Sequence, residues 1–186
     1  MKKNYFGLII IILLIVLGGS FISSYNNMVK LSEEVDAKYS DIDVQLKRRS
    51  DLIPNLISTV KGYMAHEEKI INSITEAREN LVNAKTISDK AKANDELSNA
   101  LSSFNLIVEN YPDLKANTNF ISLQDELAGT ENRIANARKS YNDAVKDYNQ
   151  MISVFPSKIV ANMFNFEKKQ YFEASETDIG VPNVEF

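Results

Sequence analysis

Asp43 to Tyr63 reads DVQLKRRSDLIPNLISTVKGY. Ile42, Leu46, Ile53, Ile57, Val60 and Met64 recur at the spacing of one helix face, and Arg49 occupies the step between Leu46 and Ile53 that keeps them in phase. Met28, Leu31, Val35 and Tyr39 extend the same face upstream. Pro54 falls inside the pattern, where it removes one backbone donor and crowds the carbonyl of Ser50. The sequence therefore predicts a long helix, kinked between Ser50 and Pro54 but continuous. A break at Arg49, with Asp51 as N-cap and Pro54 in the next first turn, uses the same residues. Continuity is preferred because no loop residue stands there to reverse the chain before Gly62.

Further helices follow from the same periodicity. Ile70, Ile71, Ile74, Ala77 and Leu81 mark one from about His66 to Ala84, followed by a turn with Ser88 and Asp89 as cap candidates. Leu97, Leu101, Phe104, Val108 and Tyr111 mark the next, ended by Pro112. The longest stripe is Phe120, Leu123, Leu127, Ile134, Tyr141, Val145, Tyr148, Ile152 and Phe155, closed by Pro156. Short connections between amphipathic helices predict an all-α fold, a long antiparallel up-and-down four-helix bundle. The expected divisions are 1–24 (stub and membrane helix), 25–155 (bundle) and 156–186 (short helix and tail).

Phe6 to Ile22 carries no charge and is long enough, at 17 residues or about 26 Å of helix, to cross most of a hydrocarbon core. A cleaved signal peptide ending near Gly18 and Ser20 is the rival. An apolar run long for a signal, with helical pattern resuming at once after it, favours a retained span over residues 5–23 that meets the lipid bilayer. Lys2 and Lys3 precede the run and Glu33, Glu34 and Asp36 follow it, which places the bundle on the extracytoplasmic side by the positive-inside rule.

The chain's net charge is −4, and its one basic cluster is Lys47, Arg48 and Arg49, a poor basis for binding nucleic acid. That cluster starts about 36 Å along a straight helix from the span, beyond easy reach of the same bilayer. Cysteine is absent, which removes disulfides, thiolate metal sites and cysteine nucleophiles. His66 and Glu67 open an HExxH-like string, but Ile70 stands where a second histidine belongs and the chain has 1 histidine in all. No glycine-rich phosphate loop can be written, and a serine nucleophile lacks a base. The expectation is a chain with no catalytic set, no metal and no cofactor.

Polar residues on apolar stripes are the sharper signal. Arg49 interrupts the first helix face, Thr130 and Glu131 interrupt the longest, and Glu67 and Arg78 lie near the second. With Arg48 they form the candidate buried polar layer or partner-binding set. A buried charge needs a partner, and an internal ion-pair layer that sets helix register competes with a polar groove for a ligand or partner segment. In the tail, Phe166, Tyr171, Phe172 and Phe186 are too apolar for a wholly solvated segment and are candidate contacts with the bundle or a partner.

IDVQLKRRSDLIPNLISTVKGY, NYPDLKAN with NFISLQDEL, GTENRIANAR, SYNDAVKDYN, VFPSKIVANMF and VPNVEF together resemble the LemA family of bacterial membrane proteins, from about Tyr25 to Phe186. Tyr39 stands where that family often has tryptophan, and Ser50 where an aromatic or histidine is common. The resemblance implies an N-terminal membrane helix, a helical bundle and no enzymatic activity. It also implies a short N-terminus outside the cell, opposite to the charge-based orientation. Through the genomic setting of family members it makes a membrane metalloprotease a candidate protein partner. The function expected is a membrane-anchored binding or scaffold protein of the cell envelope, the alternative being a lipid-interacting remodelling protein. The oligomeric state stays open.

Overall fold

The computed structural model describes residues 3–173, with side chains from residue 7. Phe186 and the VPNVEF segment lie outside the described residues. The described chain is helical throughout its regular structure: α1 (Lys3–Val60), α2 (Glu68–Asn83), α3 (Ile87–Val108), α4 (Pro112–Lys115), α5 (Thr118–Ser153) and α6 (Ser157–Met163). α1 runs through Pro54 without a break. The side chains of Leu8 to Leu17 are all exposed, so no described part of the protein covers the apolar run. One N-terminal apolar helix of this kind fits a single-pass membrane protein.

Two compact units divide the described chain, residues 3–39 with 140–170, and residues 40–139 with 171–173. In the second unit, cross-helix bonds fix the directions. Asp43 meets Lys90 and Arg49 meets Asn94, so α1 and α3 run the same way. Arg78 meets Ser50, Gln45 meets Arg133 and Asn105 meets Gln124, which set α2 and α5 antiparallel to those two. The order is up, down, up, down, and its core holds Ile53, Leu56, Ile74, Leu97, Phe104 and Ile134 among others. Each such side chain contributes about 1.5–3 kcal/mol on burial.

Local chemistry explains the helix starts. Thr86 Oγ1 accepts the Asp89 N–H at 3.0 Å and caps α3, ahead of the expected cap residues Ser88 and Asp89. Asn117 accepts from the N–H groups of Asn119 and Phe120 and so opens α5. Several residues of the expected stripes are only half-buried, and two departures have a visible cause. Leu56 is buried where Ile57 is only half-buried, because Leu56 lies alongside Leu101, Phe104 and Leu127. Phe155 is 82% exposed, since α5 ends at Ser153 and the helical phase that carried its stripe inward ends with it.

In the first unit, Met28 and Val35 of α1 are buried with Tyr141, Val145, Tyr148 and Ile152 of α5 and Val160 and Ala161 of α6. The Tyr39 and Tyr141 rings lie 5.9 Å apart. α6 ends with Asn165 in the left-handed region, φ 57°, and the Phe166 N–H donates back to the Ala161 carbonyl at 3.0 Å. This is a Schellman closure with asparagine in place of the usual glycine. Beyond it, the side-chain amide of Asn149 both donates to the Lys169 carbonyl and accepts the Lys169 N–H, each at 2.9 Å. Asn149 thereby acts as a backbone partner for a segment that has none of its own.

A candidate polar site around Arg49

Arg49 is the largest side chain to be fully buried, 1% exposed, in the second unit. Its Nη1 donates to Asn94 Oδ1 at 2.8 Å and to Ser98 Oγ at 2.9 Å, both on α3. Its Nη2 approaches Glu131 Oε2 on α5 at 3.7 Å, an ion pair too long for a hydrogen bond. Ser98 Oγ in turn donates to Glu131 Oε1 at 3.4 Å. The Nε of Arg49 is buried with no hydrogen-bond acceptor. Burial pushes the guanidinium below its ordinary pKa, against the opposing pull of Glu131 and Asp95, yet arginine keeps its proton.

One turn along, Arg138 Nη1 pairs with Asp95 Oδ1 at 3.3 Å, and its guanidinium carbon lies 5.0 Å from the Phe172 ring centre. Arg49, Asn94, Asp95, Ser98, Glu131 and Arg138 line an open cavity of about 210 Å³. A smaller one of about 80 Å³ on the other side of Arg49 is lined by Leu56, Phe104 and Leu127. Two cations and two carboxylates balance, so the cavity offers fixed donors and acceptors without a net field. That suits a polar segment or a zwitterion better than a bare ion.

The expected set is only partly gathered there. Arg49 and Glu131 meet, but the side chain of Glu131 is 58% exposed and forms the rim. Thr130 is fully buried and spends its hydroxyl on the Leu127 carbonyl at 2.7 Å, within its own helix. Arg48 lies on the surface, not in a buried layer, and pairs with Glu126 at 2.7 Å; it points a helical step away from the core face. Arg78 is half-buried and donates to the Ser50 carbonyl at 2.9 Å. Glu67 accepts from the Tyr111 hydroxyl at 2.9 Å, a bond that raises the Tyr111 pKa. Phe172 is buried in the second unit, Tyr171 is exposed, and Phe166 packs its ring 5.7 Å from Tyr25 in the first unit.

Asn94, Ser98, Asp95 and Arg138 were not singled out from sequence. Asn94 and Arg138 carry a readable signal. Asn94 sits in phase with Leu97, Leu101 and Phe104, and Arg138 in phase with Ile134 and Tyr141. Each is a polar residue at a core position, as Arg49 is.

The chain is similar to Magnetosome protein MamQ 2 of Paramagnetospirillum magneticum, 28% identical over 189 residues, which cover 86% of this chain and 70% of that protein. Magnetosome protein MamQ of Magnetospirillum gryphiswaldense is 26% identical over the same shares. Protein LemA of Metamycoplasma hominis is 24% identical over 180 residues, 95% of this chain and 81% of its own. The LemA family model matches residues 38–186, well over half of the sequence and the whole of α2 to α6. This chain belongs to the LemA family.

Proposed function

We propose that this protein is a membrane-anchored binding or scaffold protein of the bacterial envelope. Its helical body stands on the extracytoplasmic side and holds a segment of a partner protein in the Arg49 cavity. One observation carries the reading: a fully buried guanidinium whose Nε has no acceptor among the described residues and whose ion pair is with a rim carboxylate 3.7 Å away. A partner segment that brings an acceptor to Arg49 completes its bonding, and a membrane metalloprotease of the envelope is the candidate partner. The role is read as binding, because the charged groups of the cavity are already paired with one another, Arg49 with Glu131 and Arg138 with Asp95.

In-cell photo-cross-linking from position 131 tests it. Capture of a defined protein that is lost in Arg49→Met supports the reading. Arg49→Met with raised stability and an unchanged cross-linking pattern means that the polar layer is a register device alone. Protease accessibility of the body on intact cells checks the side of the membrane, and protection in intact cells with cleavage only after lysis overturns the orientation.

A further inference from the structure

In the first unit, the outward-facing residues change character abruptly after α5. Ser140, Asp143, Lys146, Asp147, Gln150 and Ser153 are its exposed positions in this unit, as expected of a helix facing water. From Val154 onward large apolar side chains join the exposed positions, Val154, Phe155, Ile159, Met163 and Phe164, alongside Lys158, Asn162 and Asn165, with Phe155 82% and Met163 64% exposed. α6 already buries its inner face through Val160 and Ala161. A short helix that buries one face and still exposes Ile159 and Met163 on the other, next to an exposed Phe155, presents more apolar surface than a watery surrounding favours.

The position of this surface along α1 follows from contacts within the unit. The Tyr141 ring lies tilted against that of Tyr39, and Lys169, which pairs with Asp36 at 2.6 Å, lies over the ring of Tyr148. α5 thus descends antiparallel to α1, so its last residue, Ser153, falls near the level of residue 27 by helical rise, with Phe155 just beyond. The Phe164 ring lies 4.7 Å from Tyr25 and 6.1 Å from Phe21 by ring centres. Phe21 belongs to the last turn of the apolar run, and Ser23, Asn26 and Asn27 are the first polar exposed positions after it. The two switches from polar to apolar surface, one on α1 and one at the end of α5, therefore sit at the same height. Headgroup regions add roughly 5–7 Å to each side of a hydrocarbon core, the band into which this height falls.

We propose that residues 154–164 are a second membrane element: α6 lies in the interface of the leaflet from which α1 emerges, with Phe155, Ile159 and Met163 set into the headgroup and upper acyl region. Its occupant is lipid, because the surface continues the one that α1 presents to the bilayer and shares its level. Lys158 within it and Lys168 four residues past it are exposed cations suited to phosphate. This element is independent of the Arg49 cavity and adds a lipid contact to a chain otherwise held by one span.

The chain has 0 cysteines, so single substitutions report cleanly. The full-length protein is reconstituted in phosphatidylcholine and phosphatidylglycerol vesicles with Phe155→Cys, Ile159→Cys or Met163→Cys, each carrying an environment-sensitive fluorophore. Shallow spin-labelled lipids are expected to quench all three to the extent seen for Ile22→Cys, and several-fold more than Lys146→Cys. Leu14→Cys, quenched only by deep probes, reports the span by itself, so failure of the anchor is separable from failure of α6. In the unmodified protein, a headgroup-proximal photoreactive lipid is expected to mark the peptide containing residues 154–164. Quenching equal to that of Lys146→Cys overturns the proposal, as does cross-linking of these positions to a second copy without lipid labelling.

Discussion

Arg78 donates from Nε to the carbonyl oxygen of Ser50 at 2.9 Å, and Ser50 is the residue whose carbonyl Pro54 leaves without its helical donor. A proline four residues on removes the N–H that would close the turn. α2 supplies a charged donor in its place, which lets α1 continue. Arg78→Met is expected to destabilise by about 1.5–3 kcal/mol, the range for a bond with one charged partner. Pro54→Ala restores the helical donor, so the same Arg78→Met change is expected to cost much less in that background. A double-mutant cycle from chemical denaturation in detergent checks this, and equal costs in both backgrounds count against the link.

Removing either partner of the Arg49 site is expected to give unequal effects. Arg49→Ala strands the bonds of Asn94 and Ser98 and opens a cavity, a loss of about 3–5 kcal/mol by analogy with broken buried pairs. Glu131→Gln removes a charge that is 58% exposed and 3.7 Å away. It is expected to cost under about 1 kcal/mol because solvent screens that pair. Thermal unfolding followed by circular dichroism ranks the two.

Tyr141 is buried in the first unit and donates its hydroxyl proton to the Gln170 carbonyl at 2.8 Å. Burial, then Tyr39 and Asp36, push its pKa up to about 12 from 10.0. A raised folded-state value means stability is fully present below pH 10 and is lost as pH climbs towards 12, where the unfolded chain sheds a proton that the folded one keeps. The loss attributable to Tyr141 is about 2–3 kcal/mol across that window. Tyr141→Phe is expected to remove that share of the slope while lowering stability at pH 8 by about 1 kcal/mol for the lost bond. Melting curves from pH 8 to 12 on both proteins show the difference.

The closure of α6 at Asn165 rests on a left-handed residue. Asn165→Gly is expected to be tolerated within about 0.5 kcal/mol, and Asn165→Val to cost about 1–2 kcal/mol, since a branched side chain is strained there. Val at 165 also redirects the chain that brings Phe164 and Phe166 onto Tyr25. Intrinsic tyrosine fluorescence and melting temperature together report both effects.

Much of this was legible before any coordinates. Helix periodicity is local, so α1, α2, α3 and α5 could be traced from Leu46, Ile74, Leu97 and Ile134 outward, and the polar intruder Arg49 stood out against its own stripe. Less legible was that Leu56 faces the core in place of the expected Ile57, one helical step away, because that depends on which neighbour the helix packs against. Arg138 and Asn94 were readable by phase but not by purpose.

The sequence alone determined the uncharged leader, the all-helical class and the family, because each is carried by residues close together within a segment. Tertiary structure alone decided that Arg49 meets Asn94 and Glu131, that Arg78 serves the Ser50 carbonyl, that Arg138 stacks on Phe172 and that Phe155 faces outward. The first three of these pairings join residues at least 28 apart in the chain. The register between such distant segments is set by how whole helix faces pack, which no local pattern encodes.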